Sequence, residues 1–174
     1  AERKGQGVGD VWTWTAIDAE TKLVPCWLIG SRDSQCAKEF MGDLASRLAH
    51  RVQLTTDGHK AYLSAVEDAF GGEVDYSMLV KIYGDAPGNG PDTRYSSGEC
   101  CGTRKDRVCG MPEEKHVSTS YVERANLTMR MSMRRFTRLT NGFSKKAENL
   151  AHAVALYFFN YNFCRKHQTL GMTP

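Results

Sequence analysis

Asp57 closes the run RVQLTTDG, and Glu123 is the single acid in STSYVERANLTMRMSMRRFTRLTNG, residues 118–142, which also holds five arginines. Carboxylates gathered from a strand end and a helix start supply the hard oxygen ligands that Mg²⁺ or Mn²⁺ takes, with water and substrate phosphate completing the shell. Two such ions about 3.5–4 Å apart activate an attacking oxygen and stabilise a leaving one. On a helix, Glu123, Asn126, Arg130 and Arg134 fall on one line, spaced three, four and four residues apart. The acid then heads a polar stripe that continues as arginines, which with Arg135 and Arg138 would clamp the phosphates of a nucleic acid. Taken singly, Asp57 reads as an Asp-Gly turn residue and Glu123 as an acid favoured at a helix start. Together with the charge distribution and the order of elements, they read as metal ligands.

The elements that must position these groups alternate between strand and helix. DVWTWTAIDA and KLVPCWLIG are strand-like runs separated by AETK, an antiparallel hairpin. SQCAKEFMGDLASRLAH sets Ala37, Phe40, Met41, Leu44 and Leu48 on one helical stripe. RVQLTTDG reads as a short strand, KAYLSAVEDAF as a helix with Tyr62, Val66 and Phe70 inward, and DYSMLVKIYG as the last strand. Gly, Pro, Asp and Ser crowd the region that follows, so residues 84–117 are expected to be a long mobile loop. Two helices close the chain. The first turns Val122, Ala125, Met129, Met133 and Phe136 to the sheet, with Leu127 and Met131 beside the polar stripe. Asn141-Gly142 breaks the chain before the second, NGFSKKAENLAHAVALYFFNYNFC, whose Leu150, Val154, Phe158 and Tyr161 form a core stripe.

Composition limits the setting. At 174 residues, 41% hydrophobic and 25% charged, the chain fits one domain with a sizeable core. No apolar run approaches the roughly 18 residues of a membrane span. The chain begins AERKGQGVGD, with neither an initiator Met nor a secretory h-region, and is expected to be a fragment of a longer cytoplasmic, nucleoid-associated bacterial protein. Cys26, Cys36 and Cys164 lie in apolar segments and read as core thiols. Cys100, Cys101 and Cys109 are too irregularly spaced for a zinc site and read as free thiols. The net charge of +3 conceals a polarity: residues 115–174 hold ten Lys and Arg against Glu123 and Glu148, whereas residues 1–114 hold thirteen against eighteen acids. A polyanion partner at the C-terminal end follows from that distribution.

WTWTAIDAETKLVPCWLIG, then a helix, then LTTDG, then YVERANLTMRMSMRR, and finally YNFCRKHQTLGMTP together resemble a DDE-type transposase of a short bacterial insertion sequence, in the retroviral-integrase and ribonuclease-H-like group. The resemblance covers nearly the whole chain. It implies an α/β fold with a ribonuclease-H-like mixed sheet and helices on both faces, Mg²⁺ or Mn²⁺ dependence, and cleavage and joining of DNA at transposon ends. Asp57 matches the second acid, Glu123 the third, and Arg130 the basic residue seven positions later. Asp18 is the candidate within the chain for the first acid. The family fold opens with three strands, however, and only two precede the first helix here. The first strand and first acid are therefore expected upstream of Ala1, leaving Asp18 to shape the hairpin.

The whole chain, 1–174, is thus expected to be a transposase catalytic core acting on DNA, as a homo-oligomer, away from membranes. A nuclease of the same fold that does not join ends, and an inactive DNA-binding remnant, are the alternatives. His59, His116 and His167 read as loop or structural residues, and Trp12, Trp14 and Trp27 as core.

Overall fold

In the computed structural model, which describes residues 11–84, 100–136 and 146–174, the hairpin comes first. β1 (Trp12–Thr15) and β2 (Trp27–Gly30) pair antiparallel, with Trp12 opposite Gly30 and Thr15 opposite Trp27. Asp18 builds their connection: its carboxylate accepts from the Glu20 N–H at 3.0 Å and the Thr21 hydroxyl at 2.6 Å. Lys22 turns the chain back with φ of 63°, a left-handed conformation unusual for a residue with a side chain.

Asp33 then caps α1 (Ser34–Arg47) by accepting the Cys36 N–H at 2.9 Å, satisfying one of the free donors of the first turn. α1 buries Ala37, Phe40, Met41 and Leu44, the expected stripe, with Leu48 partly buried at its end. β3 (Val52–Asp57) and β4 (Val74–Tyr83) run parallel, from Val52 beside Val74 to Asp57 beside Leu79, so α2 (Ala61–Phe70) is the crossover that a parallel pair requires. Side chains alternate across the strands. Val74, Tyr76 and Met78 therefore face α1 and α2, in one core with Trp14, Cys26 and Val66. Burial pushes the Cys26 thiol up to about 12, which makes it an inert packing group.

Two expectations change beyond this point. β4 is not the last strand, because β5 (Cys100–Cys109) pairs antiparallel with it and occupies part of the region read as a loop. Polarity hid β5: CCGTRKDRVC is an edge strand with most side chains in water, so it carries no apolar alternation. Residues 85–99 lie outside the described residues.

Gly110 then reverses the chain at φ of 67°, and a Cβ there would stand 2.8 Å from the Val74 carbonyl and 2.7 Å from the Arg51 guanidinium. Arg51 in turn grips Asp75, whose carboxyl it holds down at about 2 while the Met111 N–H also binds it. Gly110→Ala should cost about 2 kcal/mol, the range for a forced left-handed side chain, and a urea melt would register it.

The returning segment crosses the sheet face opposite α1 and α2. Gln53 exchanges two hydrogen bonds with the Glu113 backbone at 3.0 and 2.9 Å, and Lys105 reaches the Glu114 carbonyl at 2.7 Å. After a 3₁₀ turn at Glu114–His116, Val117 and Thr119 are buried and α3 (Ser120–Ser132) begins.

α3 is shorter than the sequence suggests. Met133 adopts extended dihedrals and Arg134–Phe136 form a separate 3₁₀ turn, so Arg134 leaves the line that Glu123, Asn126 and Arg130 share. Met129 is the buried anchor, with Met133 and Phe136 partly buried beside it. α4 (Ala147–Phe159) supplies Val154 and Phe158, and the second face of the hairpin adds Trp27 and Ile29 to the same cluster. Helices thus cover both faces of the hairpin. α4 runs into a π turn, Asn160–Cys164, where Asn162 is buried and bonds both backbone groups of Val24.

The described strands form two sheets, β1-β2 and β3-β4-β5. This mixed α/β arrangement is compatible with the expected ribonuclease-H-like class. Two further residues depart from expectation: Trp12 is 46% exposed, with Arg32 over its ring at 4.7 Å, and Cys164 lies in solvent. Cys26, Cys36, Cys100, Cys109 and Cys164 are free thiols.

Candidate active site

Asp57 occupies the C-terminal end of β3 because the apolar and β-branched run before it pairs to β4 up to that residue. Its carboxylate is exposed and accepts the His59 N–H at 3.1 Å, an Asx-type turn that fixes the loop behind it. The His59 ring leans on Trp14 and Tyr62, each at 5.8 Å between centroids, and its Nε2 is buried without a hydrogen-bond partner. Burial first, and then the nearby Asp57 charge, push the Tyr62 hydroxyl above its ordinary range. The turn that follows Asp57 is therefore backed by a packed aromatic group of Trp14, His59 and Tyr62.

Glu123 stands in the first turn of α3, where a negative charge suits the helix dipole. Both of its oxygens are engaged. The Lys81 ammonium lies 2.6 Å from Oε2, and the Thr119 hydroxyl donates to Oε1 at 2.6 Å. Partial burial raises its pKa, but the Lys81 and Thr119 hydrogen bonds and the Lys81 charge outweigh that and hold the carboxyl below its usual range. Lys81 belongs to β4, two residues beyond Leu79, the register partner of Asp57. Paired residues in neighbouring strands share a face, and so do residues two apart in one strand. Asp57 and Lys81 thus project from the same face, and Glu123 is tied to that face through Lys81.

Asp18 belongs to neither position. It lies at the hairpin turn, whereas Trp14, four residues earlier, touches His59. Its partial burial raises its pKa, but hydrogen bonds from Thr21 and Glu20 outweigh this and hold the carboxyl low, as suits a turn-forming group. Among the described residues, no three His, Cys, Asp or Glu side chains gather as a cation cage. The donor chemistry of Asp57 and Glu123 nonetheless fits a divalent ion: hard, solvent-accessible oxygens on one face, to which water and phosphate can add.

Arg130 lies exposed two turns beyond Glu123 on α3, with no ion pair to a described residue, and Arg134 and Arg135 are exposed in the following 3₁₀ turn. Arg138 lies outside the described residues. Asn126 is half-buried, its carbonyl oxygen 3.0 Å from the Thr15 hydroxyl, so it ties α3 to β1. His116 is exposed beside Glu113, and the His167 ring stands edge-on to Tyr161. Lys81 and Thr119 escape the sequence reading. Lys81 is visible there only as a lone cation in the apolar run MLVKIY, and Thr119 as one hydroxyl in STS.

Residues 7–81 match the family model described as DDE domain, of insertion-sequence transposases. Over this segment the chain is similar to DDE-type transposase domains. No curated protein and no solved structure matches the chain significantly. The match takes in β1 to most of β4, with Asp57 and Lys81, and stops before Glu123. No described helix is long and apolar enough to cross a membrane.

Proposed function

We propose that the chain is the ribonuclease-H-like catalytic core of a DNA transposase that cuts DNA at transposon ends and joins the freed 3′ ends to target DNA, working as a homo-oligomer. The observation that supports this reading is that Asp57 and Lys81 share one sheet face and Lys81 binds Glu123, in a chain whose residues 7–81 match the DDE-domain family. Asp57 and Glu123 would hold Mg²⁺ or Mn²⁺. The bound metal would supply charge neutralisation at the attacking and leaving oxygens. Phosphoryl transfer asks little else of side chains than positioning. The His59 N–H at Asp57 and the Thr119 hydroxyl at Glu123 provide that by orienting the two carboxylates.

A strand-transfer assay tests the reading. With pre-cut ends, Mg²⁺ and target DNA, a transposase yields joined product. Hydrolysis without joining would identify the nuclease alternative, and no metal-dependent product at all would identify a DNA-binding remnant. The arginines make a second, separate prediction. Arg130→Ala should weaken binding to DNA of any sequence and reduce the slope of log K against log salt by about 1, as losing one phosphate contact does. An unchanged slope in a salt titration would remove Arg130 from the DNA surface.

A further inference from the structure

Lys81 is the residue at this site whose role the reading above leaves open. It is ion-paired to Glu123, it comes from a different element, and it sits on the same sheet face as Asp57. We propose that Lys81 is the internal counter-ion of Glu123: its ammonium keeps the metal-free carboxylate in place, and a divalent cation enters by displacing it. The proposal rests on Glu123 being a metal ligand.

The geometry sets up a competition. An ammonium 2.6 Å from Oε2 uses acceptor capacity of the same oxygen that a metal would need. Two cations on one carboxylate oxygen would stand about 4 Å apart and repel each other, so both cannot hold it at full strength. Lys81 is built to leave. Its flexible four-carbon stem reorients easily, and its side chain is one-third exposed, so the ammonium can be rehydrated when it swings away. Glu123 does not lose its place in consequence, because Thr119 still donates to Oε1 from the preceding turn. Lys81 is thus a positioning residue that offsets the Glu123 charge until a divalent cation takes its place. Its cost is a lower affinity for the metal.

Mn²⁺ titration of the chain, followed through the electron paramagnetic resonance of the free ion, tests this without relying on catalysis. Lys81→Met should bind Mn²⁺ about tenfold more tightly than the parent, the order of effect expected for removing one nearby positive charge. Lys81→Gln should shift the affinity in the same direction, and Lys81→Arg, which keeps the charge, should stay near the parent. Glu123→Gln should bind weakly. Unchanged or weaker binding by both Lys81→Met and Lys81→Gln, with Glu123→Gln still weak, would overturn the proposal and leave Lys81 a structural tie. Parent-like binding by Glu123→Gln would instead refute the ligand assignment, and the proposal with it. Thermal melts separate these outcomes from misfolding, since a largely exposed pair contributes little to stability.

Discussion

Glu123→Gln in the full-length protein should abolish strand cleavage while leaving DNA binding intact. The substitution keeps shape and hydrogen-bonding capacity: the new carbonyl oxygen can still accept from Thr119 or Lys81. It removes the negative charge a divalent ion requires. Metal stabilisation of a phosphoryl-transfer transition state is worth several kcal/mol, and each increment of about 1.4 kcal/mol is a factor of ten, so cleavage should fall about a thousandfold or more. Stability should hardly change, because the lost ion pair is half-exposed and such pairs contribute about 0–1 kcal/mol. Gel-based cleavage of an end-containing duplex, run beside a binding assay and a melt, reads all three quantities. Cleavage at the parental rate would remove Glu123 from the chemistry.

Local periodicity makes much of this fold legible in the sequence. The stripes Ala37-Phe40-Met41-Leu44 and Val154-Phe158 are buried as written, because a helix against a sheet leaves few other places for them. Long-range polarity was not legible. β5 is held by backbone pairing to β4, not by side-chain burial, and its arginines and lysine gave the pattern of a loop. The helix ending at Ser132 was missed for a related reason. MRMSMRRF contains no Gly or Pro to stop a helix, and the chain turns out because Met133 and Phe136 pack toward the hairpin and α4.

The candidate site divides in the same way. Asp57 and Glu123 stood out as a strand-end acid and a helix-start acid, each visible within a few residues of sequence. Lys81 and Thr119 matter only because β4 and the segment leading into α3 meet in space, and nothing in either stretch announces the meeting. Asn126 belongs with them. Spacing aligned it with Glu123 and Arg130, but a hydroxyl on β1, 111 residues away in the chain, takes up its carbonyl oxygen.

Asn162→Ala should be the most destabilising polar substitution in the chain. The Asn162 amide imitates a neighbouring strand: Nδ2 donates to the Val24 carbonyl at 2.9 Å and Oδ1 accepts the Val24 N–H at 3.1 Å. Val24 is 3% exposed and Asn162 8%, so water cannot readily replace either bond. The π turn makes this possible, because its wider winding after α4 carries Tyr161 and Asn162 round to the hairpin, where Tyr161 also donates to the Lys22 carbonyl. Alanine would leave two buried backbone groups unsatisfied at about 1–3 kcal/mol each, a total of about 2–5 kcal/mol. For a chain of this size that lowers the melting temperature by about 10 °C, measurable by circular dichroism. Asn162→Asp separates the two bonds. An ionised carboxylate can accept the Val24 N–H but opposes the Val24 carbonyl, whereas the protonated acid restores a donor. The buried acid would titrate above its unfolded value, so its contribution to stability is present in acid and lost as pH rises. Asn162→Asp should therefore gain on the parent as pH falls through the carboxylate range, and a pH-independent difference between the two would show that the bond to the Val24 carbonyl contributes nothing.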